Sequence, residues 1–185
     1  MTMGGIPAST DLISTFMRAV ESAGGTIECA PRDPEAIARA VSYRSKGAKR
    51  IAIAESRELP PELLNPCRAF PDALSSLAKS ELALAEVGIT EAFAGVARTG
   101  SVCVEIGEGS AGAVSLLARQ HIVLLAAECV VERPADLLRP ECLDGKGLTK
   151  DFVFVTGPSA TADMGPLVRG VHGPHALHVI LLTGQ

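Results

Sequence analysis

The stretch TIECAPRDPEAIARAVSYRSKGAKRIAIA, residues 26–54, decides the fold class. Thr26 to Ala30 is a short extended run, and Asp33 followed by Pro34 is a helix start. Asp caps free backbone N–H groups, and Pro suits the first helical position because it lacks an N–H of its own. The helix predicted over Glu35–Ser45 stops at Gly47, and Arg50 to Ala54 returns as a second strand. Working outward, Leu12, Ile13, Phe16, Met17 and Val20 recur at helical spacing, capped by Ser9 or Thr10 and stopped by Gly24-Gly25. Helix, strand, helix, strand is how an α/β layer begins.

Downstream, Glu58 to Phe70 reads as a loop or broken helix, and Ser75 to Glu86 as helical. Residues 92–97 and 101–106 flank Arg98-Thr99-Gly100, which predicts a hairpin with a Gly-bearing turn. Ala111 to Gln120 is a short helix, His121 to Ala127 a strand of the buried type, and Asp136 to Leu138 one helical turn. Strands at Phe152–Thr156 and Leu177–Leu182 flank a glycine-rich connection. No internal repeat or dividing linker is visible. The expectation is a single domain over residues 1–185, with residues 1–25 as an N-terminal helix or appendage.

Composition narrows the function. Apolar residues make up 47% of the 185 and charged residues 21%, which is ordinary globular usage. With no Trp, one Tyr and five Phe, the core must be aliphatic. A formal charge of −4 without a basic stripe speaks against nucleic acid, and Arg44, Lys46, Lys49 and Arg50 read as a solvated helix end. Cys29, Cys67, Cys103, Cys129 and Cys142 show no C-x-x-C spacing, so neither zinc nor iron–sulfur ligation is expected. Free thiols, a start without signal-peptide character and no long apolar run predict a cytoplasmic protein without a membrane span.

Three motifs carry chemistry. Gly157, Ser159, Thr161 and Asp163 follow a strand, where glycine and hydroxyl groups suit a small anion. The same residues equally fit a short helix capped by Ser159 and Thr161, with Asp163 in its first turn. His172, His175 and His178 lie three residues apart, but Gly173-Pro174 breaks any helix and no acidic residue or Cys is near. No metal is expected; His172 with Gly173 reads as a polar contributor to a ligand site, and His178 as a hydrogen-bonded strand residue. Gly107-Glu108-Gly109-Ser110-Ala111-Gly112 matches the dinucleotide fingerprint G-x-G-x-x-G. The helix after it is only about 12 Å long at 1.5 Å per residue, and the strand before it is a hairpin arm. A flexible turn is the better reading, and no cofactor is expected.

The C-terminal strings TGPSATAD (156–163) and GVHGPHALHVILL (170–182) resemble the signature of the LUD-domain family, the LutC/YkgG type of lactate-utilisation proteins. AEVGITEAFAGVARTGSVCVEI (85–106) and SLLARQHIVLL (115–125) are similar to that family's middle segments, in the same order. The resemblance runs from about Ala78 to the C-terminus. It implies a layered α/β fold like the NagB/RpiA/CoA-transferase group, with a central, mostly parallel sheet. It also implies a part in oxidising L-lactate to pyruvate beside partner proteins that carry iron–sulfur clusters. The family typically has an acidic residue before the hairpin Thr-Gly, where this chain has Arg98. A guanidinium is not a nucleophile, so covalent glutamate chemistry of the CoA-transferase kind loses support. Arg98 either pairs with a carboxylate ligand or is an exposed hairpin-tip residue.

The expected ligand set is thus Arg98, Thr99, Gly100, Gly157, Ser159, Thr161, Asp163, His172 and Gly173. The leading expectation is an accessory or small-anion-binding subunit. The alternative is an independent enzyme acting on a CoA ester or phosphosugar, favoured if Glu91, Glu105 or Glu108 converges with Asp163 and the Thr99-Gly100 hairpin.

Overall fold

The computed structural model describes residues 10–107, 109–139, 151–163 and 165–184. Ser9, Glu108 and Cys142 therefore lie outside the described residues.

The chain begins with α1 (Thr10–Ser22), β1 (Thr26–Pro31), α2 (Pro34–Arg44) and β2 (Ile51–Ile53), as the opening stretch predicts. The Asp33 side chain accepts from the Ala36 N–H at 2.8 Å, and Pro34 opens α2. Gly24 ends α1 in the left-handed conformation, φ +83°, with the Gly25 N–H donating to the Val20 carbonyl. Residues 61–68 form a 3-10 turn running into the short helix α3 (Asn65–Arg68). Only α4 (Lys79–Leu82) is helical within 75–86, and Val87–Ala92 is a strand, β3. The helix predicted over 75–86 is shorter than expected, and the chain has already joined the sheet at Glu86, whose N–H donates to the Arg50 carbonyl and whose carbonyl accepts from the Gln120 N–H. Then come β4 (Ala94–Val96), β5 (Ser101–Glu105), α5 (Ala111–Leu117), β6 (Gln120–Ala126) and β7 (Val130–Val131). After a 3-10 turn at Pro134–Leu138, the chain closes with β8 (Phe152–Val155), β9 (Ala160–Thr161), β10 (Val168–Arg169) and β11 (Ala176–Thr183).

A five-stranded sheet in the order β1-β11-β6-β3-β2 is parallel throughout. This is the central parallel sheet of an α/β fold. Its inner strands are mostly apolar on both faces, as parallel sheets covered on both sides require, with Thr90, Glu91, His121 and His178 as the polar exceptions. Ile122 and Leu124 of β6, with Ile180 and Leu182 of β11, face Ile37 and Val41 of α2. Val123, Leu125, Val179 and Leu181 point the other way, toward Phe16 and Val20 of α1 and Val102 of β5. Each such side chain contributes roughly 1.5–3 kcal/mol by burial.

A second sheet, β7-β4-β5-β8, lies on the α1 side. The predicted hairpin is present: β4 and β5 pair antiparallel, with Val96 opposite Ser101. One detail differs. Phe93 separates β3 of the first sheet from β4 of the second, so the chain changes sheets just before the hairpin. No described helix is long and apolar enough to cross a membrane.

Two histidines sit inside the parallel sheet. The His178 ring is held by Thr26 Oγ1 at 2.7 Å and Glu28 Oε1 at 2.9 Å, the satisfied strand histidine that was expected. A carboxylate only accepts, so Nε2–H donates to Glu28 and neutral Nδ1 accepts from the Thr26 hydroxyl. Burial first, then the charge of Arg44, holds the His178 pKa below its ordinary value against the pull of Glu28. Burial opposes ionisation of Glu28, but hydrogen bonds from Arg44 and His178 outweigh it and lower its pKa. His121 is fully buried, with Nε2 2.8 Å from Thr90 Oγ1, and burial lowers its pKa from 6.5 to about 3.

Between those two values the unfolded chain binds a proton at His121 that the folded chain refuses. Stability present above pH about 6.5 is therefore lost as pH falls toward about 3. One such group loses at most about 1.4 kcal/mol per pH unit, and His178 acts in the same direction. Urea unfolding is expected to show a falling midpoint from pH 7 to pH 5, with a shallower fall in His121→Gln. An unchanged slope in that variant would remove His121 as the source.

Gly100 and Gly157 fix how the second sheet meets α1. Both have positive φ, +67° and +69°. A Cβ on Gly100 would lie 2.4 Å from the Val20 nitrogen, and one on Gly157 would lie 2.1 Å from the Ala23 carbonyl oxygen. Gly157→Ala is expected to destabilise the fold by ~3 kcal/mol, strain and overpacking together, as read by chemical denaturation.

Candidate functional site

Parallel strands give the first sheet two chemically different ends. The expected ligand residues gather toward the amino end. The register of β5 on β8 sets Val102 opposite Val155, which brings Thr99 and Ser101 beside Thr156. Their hydroxyls form a chain, Thr99 to Ser101 at 2.6 Å and Ser101 to Thr156 at 2.7 Å. Arg98, Thr99, Gly100 and Gly157 therefore share the region around the last turns of α1. Arg98 and Thr99 are exposed, and Arg98 makes no ion pair among the described residues.

Ser159 and Gly173 form a second group. The Ser159 N–H donates to the Pro174 carbonyl, and a Cβ on Gly173 would be 3.2 Å from Ser159 Cβ. His172 beside them is exposed. The His175 N–H donates to Arg119, just ahead of β6, which ties this group to the amino ends of β6 and β11. Thr161 pairs with Val168 in the β9–β10 arm, and Asp163 is exposed beyond it. These residues form extended chain rather than the alternative capped helix. β8 belongs to the antiparallel sheet, so the rule placing ligands at the carboxyl ends of parallel strands applies elsewhere.

That rule leads to the opposite end, where β2 and β3 finish. A small open cleft of about 30 Å³ is lined there by Glu55, Arg57, Glu91, Glu105, Gly109 and Ser110, among others. Glu91 is 7% exposed, an acidic residue inside the buried strand β3. Its Oε2 accepts from the backbone N–H groups of Arg57 and Glu58 at 2.9 Å and of Leu59 at 3.2 Å. Its Oε1 and the Ser110 hydroxyl oxygen are buried without a hydrogen-bond partner. The Arg57 guanidinium stands 3.6 Å from Glu55 and 3.9 Å from Glu105.

Glu105 and Ser101 sit at opposite ends of β5, ~13 Å apart at a strand's rise per residue. Glu91 and Glu105 thus meet each other, not the Thr99-Gly100 hairpin, and the condition set for the enzyme alternative is not met by these two residues. Glu55 and Arg57 carry no motif in the sequence, and Ser110 stands in the G-x-G-x-x-G stretch expected to be only a flexible turn. The available signal was Glu91 itself, a charge in the apolar run Val87–Ala92, since buried carboxylates are rare unless anchored.

Among the described residues no three His, Cys, Asp or Glu side chains converge as metal ligands. Burial raises the thiol pKa of Cys67 to about 11 and that of Cys103 to about 12, which keeps both protonated and unreactive. Glu91→Ala is expected to release the loop over Arg57–Leu59. Hydrogen exchange at those amides should quicken while β6 and β11 keep their protection; equal protection at Arg57–Leu59 would show that the carboxylate does not hold the loop.

With this geometry in hand, comparison with known proteins assigns the family. The model of the LUD domain matches residues 14–182. Lactate utilization protein C of Bacillus velezensis is 33% identical over 105 residues, covering 55% of this chain and 44% of that protein. The protein of the same name from Shouchella clausii is 35% identical over 106 residues, covering 56% and 45%. The chain thus spans a little under half the length of these curated relatives. A crystal structure of a DUF162 family protein from Deinococcus radiodurans superposes with a TM-score of 0.72 at 18% identity, covering 95% of this chain and 99% of that one. The layered fold is shared with that structure, and the chain belongs to the LUD-domain family.

Proposed function

We propose that this chain acts in lactate utilisation as an accessory subunit that binds a small carboxylate, lactate or pyruvate. The observation that carries the reading is the family match through residues 14–182, together with relatives named for lactate utilization. Turning lactate into pyruvate removes two electrons and two protons, so the reaction needs an acceptor. The proposal gives that task to iron–sulfur partner proteins and keeps binding for this chain.

The geometry at the amino end of the parallel sheet supports an anion there. Arg98 is exposed and without an ion pair among the described residues, beside the hydroxyl chain Thr99–Ser101–Thr156. A guanidinium and a carboxylate fit each other with two parallel hydrogen bonds, and hydroxyls complete the acceptor shell. Ser159, Thr161, Asp163 and His172 would line the approach. Gly100 and Gly157 would act indirectly, by seating the hairpin on α1, and Gly173 by making room beside Ser159.

A ligand that binds only the folded state raises the melting temperature by mass action. A saturable rise is expected with L-lactate or pyruvate and is expected to vanish in Arg98→Ala. The double variant Ser159→Ala with Thr161→Val should weaken it. A folded Arg98→Ala protein with unchanged affinity would defeat the placement, and no rise with any small carboxylate would defeat the binding role.

A further inference from the structure

Helix α2 packs Ile37 and Val41 onto the parallel sheet and leaves Arg39, Ser42, Tyr43 and Lys46 exposed. Spaced i, i+3, i+4 and i+7, these four lie along one stripe. With Ala38 and Phe70 they line an open groove of about 560 Å³. Ala38 is buried and Phe70 is half-buried against the core, which gives the groove an apolar floor.

The charges on this stripe are not spent within the chain. Arg44 and Arg50, from the same basic stretch, are answered by Glu28 and Glu81. Arg39 and Lys46 make no ion pair among the described residues, and Glu35, one turn before Arg39, does not reach it. The helix dipole favours a cation at the carboxyl end, which accounts for Lys46 but not for Arg39 in the middle of α2. Tyr43, the one tyrosine of the chain, is 73% exposed, with the Arg44 guanidinium over its ring at 5.6 Å from the centroid. Tyr and Arg are the residues enriched where proteins meet, and an aromatic between free cations calls for a partner that is both acidic and apolar.

Spacing narrows the partner further. Arg39 and Lys46 stand about 10 Å apart along the stripe at 1.5 Å per residue. One small anion does not span that distance, and an open groove does not enclose one. A helix with acidic side chains two turns apart repeats the spacing, and its apolar side chains between them would meet Tyr43 and Phe70.

We propose that this face of α2 docks an acidic amphipathic helix of a partner protein, with carboxylates on Arg39 and Lys46. Helix α2 covers the opposite face of the parallel sheet from α1. The proposal is therefore independent of the lactate reading, and either can fail without the other.

The test is a titration of the full, ¹⁵N-labelled chain, followed by amide NMR. The probe is a synthetic alanine-rich helical peptide with two Glu placed two turns apart and a Leu pair between them. Parallel titrations use the same peptide with Gln for Glu, and a single-stranded oligonucleotide. Saturable shifts along Ala38–Lys46 and at Phe70 are expected with the acidic peptide alone. Arg39→Ala with Lys46→Ala should weaken that binding by about tenfold, as two exposed ion pairs allow. Tyr43→Ala should weaken it by a similar factor, and all three side chains are exposed, so α2 stays folded in both variants. No saturable shift on α2, an equal response to the Gln peptide, a stronger one to the oligonucleotide, or undiminished affinity in either variant would each overturn the proposal.

Discussion

The structure depends on two strands, β6 and β11, that are covered on both faces. Parallel pairing along their whole length satisfies the backbone, with Gln120 opposite Ala176 through to Ala126 opposite Leu182. With hydrogen bonding closed off in this way, alternate side chains must find apolar partners above and below. Ile122, Leu124, Ile180 and Leu182 recruit α2; Val123, Leu125, Val179 and Leu181 recruit α1 and the second sheet. The two layers flanking the sheet follow from this double demand. The same burial explains why His121 and His178 are held neutral, since charging either would place an ion in the driest part of the molecule.

A sheet of uniform strand direction has unlike ends, and the chain uses them differently. Chain reversals at the amino end bring hydroxyls, glycines and the exposed Arg98 against the last turns of α1. At the carboxyl end, loops after β2 and β5 bring carboxylates around Glu91. The second sheet makes this possible. Because β5 runs antiparallel to both β4 and β8, its start meets the end of β8, which sets Ser101 beside Thr156 at one end and Glu105 at the other. The hydroxyl cluster with Arg98 and the carboxylate cluster around Glu91 are thus kept apart, with the apolar core between them.

The parts of the fold legible in the sequence are those whose signal is local. Asp33-Pro34 announces α2 because the cap and the first helical position are neighbours. The Gly-bearing turn announces the β4–β5 hairpin for the same reason. The all-apolar runs of β6 and β11 mark buried strands, and the strings around Thr156–Asp163 and Gly170–Leu182 mark the family. Helix was expected over 75–86, where helical spacing persists locally but packing against β2 and β6 requires the chain to be extended by Val87.

What tertiary structure alone decided is which distant residues meet. The role of Gly157 rests on the Ala23 carbonyl, more than a hundred residues earlier, and no local pattern encodes that approach. The change of sheets at Phe93 and the antiparallel membership of β8 are likewise matters of pairing, and they determine which end of the sheet each motif reaches. Glu91 shows the division most clearly. Its sequence marks a charge in an apolar strand. Only the arrival of the Arg57–Leu59 backbone makes it an anchored carboxylate with one oxygen still open, because satisfying a buried charge is a property of the surroundings and not of the residue.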